Sequence, residues 1–199
     1  SHQRLMVCEI MGHNAGWLCL GAGIAGGADV ILLPEIEYDL NVVSQFLRER
    51  RRAGKRFSII ALSEGAHSKD QAKIDKDIER QNLRMKSKDD SLPVFQEPKA
   101  SRLARELQRL TGIEARMTSL GHVQRGGGPS PTDRLLCTRL GSKAAELLAA
   151  GVYNVMVSVK GDDCVAVPLE KVAGKKKTVP VDHPWIRSAR LVGTCFGDR

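Results

Sequence analysis

The 199-residue sequence contains no run of roughly 20 apolar residues, which leaves no segment suited to spanning a bilayer as a helix. Its first residues, SHQRLMVCEI, lack the long apolar stretch and small-residue cleavage site of a secretory leader. Aromatic residues make up only 4%, too few for a platform on which successive bases would stack. There is no G-x-x-x-x-G-K-[ST] loop, and so no P-loop nucleotide site. The five cysteines (Cys8, Cys19, Cys137, Cys164, Cys195) form no C-x-x-C pair and are odd in number, so reduced and mostly buried thiols in a cytoplasmic protein are expected. The five histidines show neither i, i+4 pairing nor a neighbouring cysteine, which argues against a zinc site.

Positive charge is what the chain has in surplus. A net charge of +8 favours anionic partners, either nucleic acid or phosphorylated small molecules. The two densest basic runs, Arg48 to Arg56 and Lys175 to Lys177, read as solvent-facing helix ends. Nothing resembles a helix-turn-helix or a zinc finger, so nucleic acid is set aside as a partner.

Apolar stretches of strand length alternate with helical patterns. Strands are expected at 5–10, 30–36 (interrupted by Pro34), 56–65, 114–121 and 153–161. Helices are expected at 14–27, at 41–54 with Val42, Val43, Phe46 and Leu47 on one face, at 101–112, and at 131–151. Ser130 is the natural N-cap of the last helix, with Pro131 at its first position and Asp133 in its first turn. Residues 66–97 are polar, with a weak helix and a loop expected to move; 163–174 follow a turn. Strands separated by helices imply βαβ units and an α/β fold of three layers, mainly parallel sheet flanked by helices. Ligands of such sheets sit at the carboxyl ends of the strands, which directs attention to Glu9–His13, Ser63–Glu64 and Leu120–Gly128.

Gly21 to Gly26 reads GAGIAG and matches the dinucleotide fingerprint, but the glycines fall late in a helical segment rather than between a strand and a helix. Small residues that let a helix lie close to a sheet explain them better. The stretch Thr118 to Arg134, TSLGHVQRGGGPSPTDR, is more specific. Glycines allow tight turns and close backbone approach, His122 and Arg125 share a short loop, and a helix N-terminus follows. An arginine there can grip a phosphate in bidentate fashion. Arg4 and Arg116, at the ends of other strands, add to a set suited to a phosphate-bearing ligand. Glu64, at a strand end, reads on its own as a solvated acid.

Taken together, SHQR, EIMGHNAGWLCLGAGIAGGADVILLPEI, ALSEGA and LGHVQRGGGPSPTDRLL resemble the 6-phosphofructokinase family, in that family's order and spacing. The resemblance covers nearly the whole chain and is weakest at 66–100 and after about 165. It implies a phosphotransferase of glycolysis that moves a phosphoryl group from ATP or pyrophosphate to the 1-hydroxyl of fructose 6-phosphate. Magnesium would accompany the donor. The family's Gly-rich donor loop and the aspartate that acts as base are not in this sequence, so the chain is expected to be part of a longer protein and to be nearly inactive alone.

The resemblance also implies roles. Arg4 matches an arginine that reaches the sugar phosphate from a neighbouring subunit, and Arg116 matches a second one, hence a homo-oligomer. Met11 and Gly12 match the segment lining the sugar pocket, Glu64 the carboxylate that binds sugar hydroxyls, and His122 with Arg125 the pair that grips the 6-phosphate. The family's usual arginine after Met-Gly, which stabilises the transferring phosphoryl group, is His13 here. That departure bears on rate or donor. Asp29, Lys55 and Arg56 match positions facing an effector site in allosteric members, although basic residues after a helix stop are common. The implied domains are 1–123 for the sugar phosphate and 124–199 for the C-terminal part of a donor-binding domain plus a C-terminal extension, incomplete without an upstream segment. The competing expectation is a non-catalytic truncated paralogue that binds sugar phosphate as a regulatory or assembly module.

Overall fold

The computed structural model describes residues 3–69 and 97–199. They form two compact units, Ser1–Gln124 with Thr178–Arg199, and Arg125–Lys177.

In the first unit, β1 (Leu5–Ile10), β2 (Val30–Leu32), β3 (Ser58–Ser63) and β4 (Ala115–Ser119) make a parallel sheet in the order β2-β3-β1-β4. Alternation of side chains along each strand supplies two buried faces, as a parallel sheet requires. Leu5, Val7, Val30, Leu32, Ile60 and Leu62 point to one face. There they meet Val43 and Leu47 of α2 (Leu40–Arg52), and Leu103, Ala104 and Leu107 of α3 (Lys99–Thr111). Ile31, Leu33 and Ala61 point to the other, against Cys19 and Leu20 of α1 (Trp17–Ala25) and Ile186, Ala189 and Phe196. Helix, sheet and helix therefore stack as three layers.

The glycines of GAGIAG lie in or just after α1. A Cβ at Gly23 would come within 2.7 Å of Ile31, so the small residues serve close helix–sheet packing. The expected second strand stops at Leu32, before Pro34. Asp39 caps α2 through a hydrogen bond from the Asn41 amide, 2.8 Å, and α2 ends at Arg52 ahead of Gly54, whose φ is +84°. The weak helix and loop expected within 66–97 lie almost wholly outside the described residues.

Residues 178–199 close the expected 124–199 stretch, which included a C-terminal extension. They return to the first unit, carrying an unforeseen helix, α5 (Pro184–Leu191). Cys195 adds a one-residue parallel bridge to Val30, with the Ile31 amide donating to the Cys195 carbonyl at 2.9 Å. Glu35 fastens this segment from below, accepting the amides of Gly16 (3.0 Å) and Val179 (2.8 Å) through Oε1. Apolar residues Ile186, Ala189 and Phe196 supply the reason: they complete the face that α1 alone would leave half covered.

The second unit holds α4 (Pro131–Ala149) and an antiparallel hairpin of β5 (Val155–Lys160) and β6 (Asp163–Pro168). The fifth strand thus pairs outside the parallel sheet, and the residues expected only to follow a turn form its partner. Pairing across the short turn at Gly161 (φ +61°) satisfies both strands locally. Ser130 and Asp133 form the reciprocal capping box at the start of α4. All five cysteines are free, but only Cys19 and Cys195 are buried and Cys137 is exposed, which corrects the expectation of mostly buried thiols. Burial pushes the Cys19 thiol up to about 12, with the Glu35 carboxylate adding to the shift.

Candidate active site

Helix α1 packs on one face of the sheet and α3 on the other. In open parallel sheets ligands bind at the carboxyl ends of the strands. Met11, Gly12 and His13 follow β1 directly, and Glu64 follows β3. One carboxylate oxygen of Glu64 accepts the amides of Gly12 (3.1 Å) and His13 (2.5 Å), while the Glu64 amide donates to the Ile10 carbonyl at 3.0 Å. Glu64 is therefore first a clamp on the loop that it faces. His13 lies in the left-handed region, φ +51°, a conformation that costs a non-glycine residue about 1 kcal/mol and persists only where its surroundings impose it, as the two amide bonds to one Glu64 oxygen do. Gly65 admits this closeness, since a Cβ there would lie 2.0 Å from the His13 carbonyl oxygen.

After β4 the chain turns into a single 3-10 segment, Gly121–Arg125, which presents His122 to solvent. Gln124 binds the end of β1: its Oε1 accepts the Met11 amide at 3.1 Å and its Nε2 donates to the Glu9 carbonyl at 3.3 Å. Glu9 in turn holds Ser119 Oγ (2.9 Å) and the Ala100 amide at the start of α3 (3.3 Å). Met11, Gly12, His13, Glu64 and His122 are in this way brought to one end of the sheet. Arg125, the last residue of the turn, begins the second unit.

Arg4 and Arg116 lie at the other end. Arg4 precedes β1 and Arg116 is the second residue of β4, opposite Met6. The six residues of β1 separate Arg4 from Met11, about 20 Å at the usual strand rise. Both arginines share one carboxylate: Arg4 Nε meets Glu114 at 2.7 Å and Arg116 Nε meets it at 3.0 Å. The hydrogen bond from Arg4, then that from Arg116, hold the Glu114 carboxyl below the usual range. Within one chain these arginines do not join the residues around Glu64.

The expected strand-end set thus divides into two groups. Glu114 was not singled out from sequence, and Glu9 and Gln124 fell within the strand-end stretches without a role of their own. The QR step after GHV was the available signal for Gln124, since an amide beside a glycine-rich turn is suited to pairing with backbone. Asp29 is engaged by Arg50 (2.6 Å) and by the Ile59 amide (3.0 Å), which makes it a joint between α2 and β3.

The phosphofructokinase family model matches residues 1–148. The chain belongs to the phosphofructokinase family. Among curated relatives it is 51% identical over its full length to an ATP-dependent 6-phosphofructokinase of Spirochaeta thermophila, covering 52% of that protein. It is 48% identical to the ATP-dependent 6-phosphofructokinase of Propionibacterium freudenreichii, again over all of this chain and 56% of the relative. The chain therefore spans about half the length of the curated relatives it matches. Among solved structures, a pyrophosphate-dependent phosphofructokinase from Marinobacter aquaeolei shares the fold, with a TM-score of 0.71 at 19% identity over 99% of this chain and 49% of that one. Among the described residues no helix is long and apolar enough to cross a membrane.

Proposed function

We propose that this chain is the acceptor-binding half of a 6-phosphofructokinase, which moves a phosphoryl group from ATP or pyrophosphate to the 1-hydroxyl of fructose 6-phosphate in the cytoplasm. The observation that carries the reading is the clamp, in which Glu64 and Gln124 fix the three residues after β1 beside the turn bearing His122. Met11 and Gly12 line the sugar pocket, and the outer edge of the Glu64 carboxylate receives sugar hydroxyls. His122 and Arg125 grip the 6-phosphate, a charge-assisted contact of the strong kind. His13 lies toward the transferring group, where phosphoryl transfer needs positioning and charge neutralisation more than covalent help.

Arg4 and Arg116 stand at the wrong end of the sheet for their own chain's site, and a second copy is the natural recipient. A homo-oligomer would bring this pair, oriented by Glu114, to the neighbour's phosphate. The unit containing Arg125–Lys177 is read as part of a donor-binding domain, and the first unit as the sugar-phosphate domain. Among the described residues no group of three or more His, Cys, Asp or Glu side chains is placed to hold a metal. Magnesium would arrive with the phosphoryl donor.

Calorimetric titration with fructose 6-phosphate tests this directly: saturable binding is expected, and its absence contradicts the reading. Turnover is expected only when the missing donor-binding segment is supplied. His13 favours one competitor, a non-catalytic sugar-phosphate module. His13→Arg in the completed enzyme is expected to raise kcat; sugar binding without turnover in either form would favour the module.

A further inference from the structure

The parallel ladder between β1 and β4 ends in an unusual way. Odd-numbered residues of β1 direct their amides and carbonyls toward β4, as the bond from the Leu5 amide to the Glu114 carbonyl shows. Even-numbered ones face β3, as the bond from the Glu64 amide to Ile10 shows. The register pairs Glu9 with Ser119, so the next rung would place Leu120 opposite Ile10. In a parallel ladder that residue would donate its N–H to the Glu9 carbonyl and accept the Met11 amide. Leu120 is diverted instead: its carbonyl accepts the Val123 amide at 3.2 Å and opens the 3-10 turn, helped by Gly121 at φ +52°.

The two backbone groups that Leu120 abandons, the Glu9 carbonyl and the Met11 amide, are the two that Gln124 binds. We propose that the Gln124 carboxamide is a positioning residue that substitutes for a peptide unit as the last rung of the sheet. It lets the chain leave the ladder early and still ties the turn bearing His122 to the loop bearing Met11–His13. A primary carboxamide is suited to the task because it carries a donor and an acceptor on one planar group, like the peptide it replaces. Part-buried backbone groups left without this partner would incur a penalty, which the Gln124 carboxamide removes at both the Glu9 carbonyl and the Met11 amide.

The rung is a claim about this fold, and its effect on fructose 6-phosphate rests on the reading of the preceding section. The chemistry offers a specific test. A glutamate at 124 has the same shape, but ionised it has no donor for the Glu9 carbonyl; protonated, it again has one donor and one acceptor. The charged or titratable groups on the elements around it are Glu9 of β1, Glu64 after β3, His13, and His122 and Arg125 of the turn itself. Hydrogen exchange of the Met11 amide and fructose 6-phosphate affinity are measured for the wild-type chain, Q124E and Q124M, each as a ratio to wild type at the same pH. The Val7 amide, inside the ladder, controls for global folding.

For Q124M, roughly fivefold faster Met11 exchange and a comparable loss of affinity are expected at every pH. Q124E at neutral pH keeps the acceptor for the Met11 amide but lacks the donor, so both ratios lie between wild type and Q124M, and they recover toward wild type as the pH falls through the carboxyl range. Unchanged Met11 exchange in Q124M, or a Q124E that never departs from Q124M, overturns the proposal. Should the wild type fail to bind the sugar phosphate, the sugar-phosphate reading falls while the exchange ratios still decide the rung.

Discussion

In the first unit Val7, Val30, Leu32, Ile60 and Leu62 have no exposed surface, because α2 and α3 cover one face of their sheet and α1 and α5 the other. In the second unit none of the residues 125–177 is buried, although its helix is capped and its hairpin is fully paired. Leu135 is 67% exposed, Leu148 59% and Tyr153 66%. Capping boxes, turns and cross-strand pairing are local and form without a second layer. A hydrophobic core is not local, since an apolar face is stabilised only by an opposing face. The same kinds of sequence signal therefore lead to a complete sandwich in one region and to well-formed elements with an uncovered face in the other. That contrast is what a half-length member of this family would show if its second unit completes elsewhere.

The largest expected effect comes from cutting into the covered region. Leu62→Ala should destabilise the first unit by about 2–5 kcal/mol, since it removes a wholly buried side chain between sheet and helices. Leu148→Ala in the uncovered region should change stability by only about 0.5 kcal/mol or less. Denaturant unfolding of both variants checks the pair, and comparable losses would break the comparison.

Next comes the clamp. Glu64→Ala removes the acceptor of the Gly12 and His13 amides. Fructose 6-phosphate affinity should fall about tenfold or more, on the scale of hydrogen bonds to a charged group. A smaller effect belongs to the cap of α4. Ser130→Ala should cost about 1 kcal/mol of local helix stability, seen as faster amide exchange in its first turn and nowhere in the first unit. The same substitution should let Asp133 return upward toward the ordinary carboxylate range, because the Ser130 hydroxyl and backbone are what hold it down.

The smallest effect is at Glu114. Its folded-state value is depressed by Arg4 and Arg116, so the ion-paired contribution is present above the ordinary carboxylate value and is lost as pH falls through the depressed one. Carboxyl NMR should show a midpoint below the usual range that rises in Arg4→Ala. This surface cluster should add little to overall stability.

Much of this was legible before the fold. Apolar runs of strand length marked the parallel strands, and Ser130-Pro131 marked the start of α4, because both signals act within a few residues. Helix α5 was missed, since its burying partners Leu20 and Ile31 lie far away in sequence and only its Pro184 is a local cue. The hairpin was assigned to the wrong sheet for the converse reason: an apolar strand pattern does not say which neighbour it pairs with. In the site, the glycines and charged residues stood out, whereas Gln124 did not. Its role depends on where Leu120 leaves the ladder, which is a matter of register rather than of composition. The division of the arginines between the two sheet ends was likewise implied only by the family resemblance. Strand direction in the fold places Arg4 before β1 and Met11 after it.

That division leads to the most direct test of the account. Two variants of the chain are prepared, Arg4→Ala/Arg116→Ala and Glu64→Ala, each expected to bind fructose 6-phosphate weakly on its own. Mixed and allowed to exchange subunits, they should recover about a quarter of the wild-type binding sites, because in a mixed dimer one of the two sites draws every residue from an unaltered position. A mixture that binds no better than its two components would show that each site is served by its own chain, and would contradict the shared site.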